Sequence, residues 1–262
     1  GDGDIIAGWQ ETLNSDIVVR VSSSSDNTAT WSTPFEISEP ATTSWNIALK
    51  RMGNGNVYAV WDSYGHMSAA QFVDGTNTWA TRVVMGNRTF YQNSSRGMDV
   101  ASSTELTIVW SEGSGNFSVM HSTFNGSSWT TPQNIATGPY LRPTIAYSAT
   151  RAVVTLTGSF GVYVVSAARS NMTFSSPQLI STNGVAPANV SVVWVSGDTF
   201  GTIFNETSNG NYYPKVRLSS DGGLTWATAL TPSSDNLWNY APMLFVDSNG
   251  IVLTIWHVQN PN

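Results

Sequence analysis

Short apolar runs recur through this 262-residue chain at a near-constant interval, and that interval constrains the fold more than any other feature. The runs end at Trp9, Trp61, Trp110, Leu156, Phe204 and Trp256, so consecutive ends lie 52, 49, 46, 48 and 52 residues apart. A period of this size marks a repeat architecture, in which one supersecondary unit is copied and stacked. Each run is apolar at nearly every position, as a strand is when both of its faces are covered.

Other segments repeat in step. Alternating polar and apolar segments follow the runs at 17–21, 68–72, 118–122, 163–167 and 215–218, the pattern of half-buried strands. Further strand-like segments precede the runs at 46–50, 98–102, 144–148, 189–193 and 243–247. Pro34, Pro132 and Pro177 open short segments that suit an outermost strand, because Pro is confined to sheet edges and strand starts. Each repeat therefore holds a first strand, the apolar second strand, the alternating third strand and a short fourth. With no helical period anywhere, the expected fold is all-β: one β-propeller domain over 1–262, built of four-stranded antiparallel blades.

Third and fourth strands are joined by a recurring turn. Its fullest copy runs Ser219-Ser220-Asp221-Gly222-Gly223-Leu224-Thr225-Trp226. Ser and Asp compete for backbone hydrogen bonds and Gly supplies positive φ, so this stretch is a tight turn with Asp221 accepting from nearby amides. Ser24, Asp26, Thr30 and Trp31 repeat it with Thr28 where Gly223 would stand, and eroded copies end at Trp79, Trp129 and Phe174.

The set Ser219, Asp221, Gly223, Thr225, Trp226 resembles the Asp-box (BNR repeat) of the sialidase-like β-propellers. That resemblance implies that the boxes lie at the blade periphery, away from an active site, and are structural. The sialidases of that family use an arginine triad, an Asp acid/base and a Tyr activated by a Glu. Leu141-Arg142-Pro143 resembles the family's Arg-x-Pro element, and Arg96 with Arg142 matches two of the three arginines; no third matches.

Counting strand types gives five first, six second, five third and five fourth strands. Five blades would close with two strands from each terminus and leave one second-type strand spare, at 4–10 or 251–257. Such a spare strand could pair two copies of the chain. Six incomplete blades are the alternative; five is favoured because a missing inner strand bares an edge.

Only 11% of residues are charged and the net charge is −6, which excludes the clustered Lys and Arg of a nucleic-acid binder. No apolar run approaches a membrane span. Cysteine is absent and so reports no redox compartment; no metal or cofactor is expected. Gly1-Asp2-Gly3-Asp4 reads as a mature or trimmed end. Two Lys in the chain, with sequons at Asn87, Asn93, Asn116, Asn125, Asn171, Asn189 and Asn205, point to an extracellular or cell-surface setting.

Two columns of residues fall in the loops at one end of the repeats, where propeller ligands bind. One follows the second strands and is acidic or polar, with Glu11, Asp62, Glu112, Glu206 and His257. The other precedes the first strands and holds Trp45, Arg96, Arg142, Ala186 and Ala241, with Tyr140, Trp238 and Tyr240 beside it. Arg forks suit carboxylates and aromatic faces suit sugar rings. The expected function is a secreted, non-catalytic propeller that binds a glycan or protein ligand through these loops. The alternatives are a divergent glycoside hydrolase, which needs two carboxyls across one pocket, and a piece of a larger propeller.

Overall fold

In the computed structural model the described residues are all except 1–4, 41, 64, 75, 77, 88–96, 114–115, 183–189, 209–210, 234–237 and 260–262. Every regular element among them is a strand. The first sheet holds β1 (Ile5–Leu13), β2 (Asp16–Ser24) and β3 (Phe35–Glu36). The second holds β4 (Ser44–Arg51), β5 (Val57–Ser63), β6 (His66–Val73) and β7 (Thr78–Trp79), with β8 (Val83–Asn87) also on β6. Next come β9 (Met98–Val100), β10 (Leu106–Glu112), β11 (Phe117–Phe124) and β12 (Gln133–Gly138). The fourth sheet is β13 (Leu141–Tyr147), β14 (Arg151–Gly158), β15 (Gly161–Ala168) and β16 (Gln178–Leu179). The fifth is β17 (Val190–Ser196), β18 (Thr199–Ser208) and β19 (Asn211–Ser219), and the sixth pairs β20 (Trp238–Val246) with β21 (Val252–Gln259).

The chain divides into two compact units, 1–114 with 122–133 and 115–121 with 134–262. In the first, Val19, Val21, Ile37, Ala59, Trp61 and Ala70 form one core cluster, and Met52, Tyr58, Leu106 and Phe124 another. In the second, Val153, Val162, Val164, Val190, Phe200 and Phe204 belong to the main cluster, while Ile203, Val216 and Leu244 form a smaller one. Four of the six second strands behave as their composition demands, β5 buried throughout and β10, β14 and β18 along most of their length. By contrast, β1 has no buried residue and Leu253 and Ile255 of β21 are exposed, so these two runs are not covered on both faces as expected.

Six sheets are formed among the described residues, where the strand count favoured five with a joint terminal sheet. The reason is local. Leu13 pairs with Asp16 across a two-residue loop whose Asn14 and Ser15 both have positive φ, 50° and 77°. Such a loop matches strand twist and makes a tight hairpin, so β1 takes the edge of β2 along nine pairs. The C-terminal run forms its own hairpin, β20 with β21.

The turns take the geometry that their residues dictate. Asp221 Oδ1 accepts from the Ser219 hydroxyl at 2.8 Å and the Thr225 amide at 2.9 Å, and Gly223 N donates to Ser219 Oγ at 2.9 Å. Asp26 repeats this with the Ser24 hydroxyl at 2.8 Å and the Thr30 amide at 2.8 Å, and Thr28 N donates to Ser24 Oγ at 3.0 Å. The aromatic after each turn is laid on the sheet before it. Trp79 packs on the Val19–Val21 cluster, Trp129 meets Tyr58 edge-on at 5.8 Å, Phe174 meets His121 at 5.4 Å, and Trp226 packs on the Val153 cluster. Trp31, in the first sheet, remains 44% exposed.

Candidate functional site

The first strands carry the feature that shapes one end of the sheets. Register slips by one residue between Trp45 and Ala48 in β4, between Leu141 and Thr144 in β13, and between Tyr240 and Met243 in β20. The first bulged residue is left-handed each time: Asn46 at φ 55°, Arg142 at 51° and Ala241 at 46°. None is a glycine, so each of these bulges holds a strained conformation. Three copies at one repeat position make this a built device of the fold. The equivalent positions Arg96 and Ala186 lie outside the described residues.

Side chains at the ends of the second strands secure the bulges. Asn46 N donates to Gln10 Oε1 at 2.9 Å, and Asn46 Nδ2 donates to buried Asp62 at 3.0 Å, with half-buried Trp45 paired opposite Asp62. Thr157 Oγ1 donates to the Leu141 carbonyl at 3.0 Å. Asn205 Nδ2 donates to the Asn239 carbonyl at 2.6 Å, and Asn239 Nδ2 to the Tyr212 carbonyl at 2.8 Å. Gln10, Asp62, Thr157 and Asn205 all directly follow the end of their apolar run. In that same column, Ser111 Oγ and Asn205 Oδ1 are buried without a hydrogen-bond partner among the described residues.

Arg142 in β13 is half-buried, Tyr140 stands two residues before it, and Tyr163 lies on β15 of the same sheet. Their rings meet edge-to-face at 5.1 Å and 70°. The pair is seated on two glycines: a Cβ on Gly138 would stand 2.7 Å from the Tyr140 ring, and one on Gly158 2.8 Å from that of Tyr163. Desolvation, then the neighbouring Tyr163, raises the Tyr140 pKa, so its phenol stays a neutral donor. A tyrosine nucleophile needs the opposite shift. Trp238 pairs with Gln259 and Tyr240 with His257 through the backbone.

The acidic column is differently employed. Glu11 accepts the Trp9 indole N–H at 3.1 Å and pairs with Arg20 at 2.9 Å. Glu112 accepts the Trp110 indole N–H at 3.2 Å, as Ser63 does for Trp61 at 3.0 Å. Glu206, buried, accepts the Thr182 amide at 2.6 Å and the Thr182 hydroxyl at 2.9 Å. Asp99 pairs with Lys50 at 2.7 Å. Each of these acids has its own structural partner. That use was legible only for the indoles, from the Trp-x-Glu spacing at Trp9 and Trp110. The bulges and the Gly138–Gly158 seat have no sequence signal apart from Pro143 and Pro242.

No family model and no curated protein matches the chain in sequence. Solved structures do match. A Hadza microbial sialidase aligns over 93% of this chain and 58% of its own, at 13% identity and TM-score 0.58. A Trypanosoma rangeli sialidase aligns over 99% of this chain and 52% of its own, at 10% identity and TM-score 0.58. The fold is sialidase-like. A polysaccharide lyase, an ulvan lyase, shares it at TM-score 0.61 and 10% identity, over 92% of this chain and 70% of its own. The chain thus spans little more than half the length of the sialidases. Within the sialidase-like fold, Arg142 is the one expected site arginine among the described residues, since Arg96 lies outside them.

Proposed function

We propose that this chain is a non-catalytic, carbohydrate-binding β-propeller, extracellular or at the cell surface, that takes an acidic or polar saccharide at the bulged ends of its first strands. The six sheets would be its blades, the first lacking a first strand and the last lacking a third and fourth. One observation carries the reading: Arg142 sits in a strained left-handed bulge of β13, two residues after Tyr140, whose ring meets that of Tyr163 edge-to-face. Strained residues gather at ligand sites, a guanidinium supplies a fork for a carboxylate or sulfate, and an aromatic edge and face suit a sugar ring. The sialidase and lyase neighbours support a saccharide over a protein ligand. Commitment of Glu11, Glu112 and Glu206 to structural bonds supports binding over hydrolysis.

The test is a glycan array of acidic and neutral saccharides, run beside chromogenic glycosides, on wild type and Arg142→Ala. Binding of an acidic glycan should weaken in Arg142→Ala by about 1.5–3 kcal/mol, the value of one charged hydrogen-bonding contact. Equal affinity of the two proteins for every glycan bound would overturn the reading.

A further inference from the structure

Asparagine followed by glycine is chemically labile, because no Cβ shields the glycine nitrogen from the neighbouring carboxamide. The chain has five such pairs, at 54–55, 125–126, 183–184, 209–210 and 249–250, and the first, second and last lie within the described residues. All three of these asparagines are exposed, and their glycines Gly55, Gly126 and Gly250 have φ of 90°, 98° and 80°. Sequence and exposure do not tell the three apart; hydrogen bonds do.

In two of the pairs the glycine amide is engaged. Gly55 N donates to the Met52 carbonyl at 3.1 Å and Gly250 N to the Asp247 carbonyl at 3.0 Å. Asn54 Oδ1 accepts one bond, from Asn56 N at 3.1 Å, and Asn249 Nδ2 is tied to Asp247 Oδ2 at 3.4 Å. Asn125, in the turn between β11 and β12, is the reverse. Its Oδ1 accepts from Ser127 N at 3.1 Å, Ser127 Oγ at 3.0 Å and Ser128 N at 3.0 Å. Gly126 N, the amide that intervenes, makes no hydrogen bond among the described residues. The carbonyl is polarised and the nitrogen that can attack it is unengaged. Several donors converging on one carbonyl oxygen are what stabilises a tetrahedral oxyanion.

We propose that Asn125 is a site of spontaneous intramolecular modification, its own turn acting as the oxyanion hole. Gly126 N gives its proton to solvent and bonds to Asn125 Cγ, and the charge that develops on Oδ1 is held by Ser127 N, Ser127 Oγ and Ser128 N. The Cγ–Nδ2 bond then breaks, and the nitrogen leaves as ammonia with a proton returned by solvent. A cyclic imide remains, which water opens. Attack at Cγ restores the peptide bond and yields aspartate, whereas attack at the backbone carbonyl yields isoaspartate. The same three donors polarise the Cγ carbonyl, so they direct opening toward aspartate. That product keeps all three bonds, as Asp221 keeps those of its own turn, and adds one negative charge to a chain of net charge −6. Isoaspartate instead lengthens the backbone between Phe124 and Trp129, which close the turn, and Trp129 is the ring set edge-on to Tyr58.

Peptide mapping of the full chain during incubation at mildly alkaline pH tests this, with protein from a bacterial host so that no glycan occupies the Asn125 sequon. Folded wild type should convert Asn125 ahead of Asn54 and Asn249, and the three rates should converge in urea. Ser127→Ala removes one donor and should slow conversion of Asn125 by about two- to tenfold, the worth of one exposed hydrogen bond, while Ser127→Thr keeps the rate. The ratio of aspartate to isoaspartate at this position should be higher in the folded chain than in urea. Conversion of Asn54 or Asn249 as fast as Asn125 in the folded chain would overturn the proposal. So would a lead that persists in urea, an unaltered rate in Ser127→Ala, or one product ratio for both states. Asn125→Asp, which makes the product directly, should melt at or above wild type, and a lower melting temperature would overturn the fit of this turn to the acid.

Discussion

The Thr225 hydroxyl donates to Asp221 Oδ2 at 2.6 Å, closing a turn in which every donor comes from within four residues. Desolvation pushes the Asp221 pKa up, but the bonds from the Thr225 side chain and backbone, from Ser219 and from Leu224 outweigh it and bring it from 3.8 to about 2. A depressed carboxylate pKa stabilises the folded state above its unfolded value and loses that contribution as pH falls through the folded value. Asp221→Ala should therefore cost about 1 kcal/mol at neutral pH, allowing for solvent screening of an open turn. In denaturant titrations the gap between the two proteins should be constant above pH 3.8 and close as pH falls to about 2. A gap that persists below that would remove the ionised carboxylate as its cause.

The first-sheet turn offers the converse test. Thr28 has φ 74° where Gly223 has 83°, so a β-branched residue holds a conformation it disfavours. It is tolerated because Thr28 is exposed, while Gly223 lies against Val153. Thr28→Gly should relieve strain that exceeds the entropy glycine adds, a gain of about 1 kcal/mol or roughly 2–4 °C in melting temperature. Gly223→Ala should destabilise, through Val153. Calorimetry of both variants checks the pair, and a loss in Thr28→Gly would refute the strain argument.

Buried Asn205 links the fifth sheet to the bulged strand β20 through the Asn239 carbonyl. Asn205→Ala leaves that carbonyl short of a donor and should cost about 1–3 kcal/mol in urea unfolding. The same burial closes the sequon at Asn205, whereas Asn116, Asn125 and Asn171 are exposed. Glycopeptide mapping of chain secreted from a eukaryotic host should find no sugar on Asn205.

The repeat is legible in the sequence because it is written in large apolar residues: Trp61 and Trp110 are spaced by the unit and fully buried by it. Turn chemistry is legible for the same reason, since Asp221 and Asp26 can serve few other roles between strands. The bulges are hidden. Nothing in the composition of Asn46, Arg142 or Ala241 demands a left-handed backbone; sheet register imposes it. The number of sheets is decided by Asn14 and Ser15, a two-residue hairpin loop whose local closure outweighs the repeat count. Of the expected site, Trp45 and Asp62 come together in the second sheet, Arg142 lies in the bulge of the fourth, and Arg96 falls outside the described residues.

The acidic column separates the binding and hydrolytic readings. Glu206 accepts the amide and hydroxyl of Thr182, and Glu112 accepts the Trp110 indole N–H. Glutamine keeps the shape of each side chain but weakens a charge-assisted bond, worth about 1.5–3 kcal/mol in a buried setting and less where the acid is half-exposed. Glu206→Gln should thus lower the melting temperature more than Glu112→Gln, because Glu206 is buried and takes three bonds from Thr182 while Glu112 is half-buried and takes one from Trp110. Neither change should weaken glycan binding as Arg142→Ala does. A hydrolase would behave otherwise: removing one of its two carboxyls abolishes turnover of a chromogenic glycoside with little change in melting. Turnover by wild type that disappears in Glu112→Gln or Glu206→Gln at unchanged stability would assign these acids to chemistry.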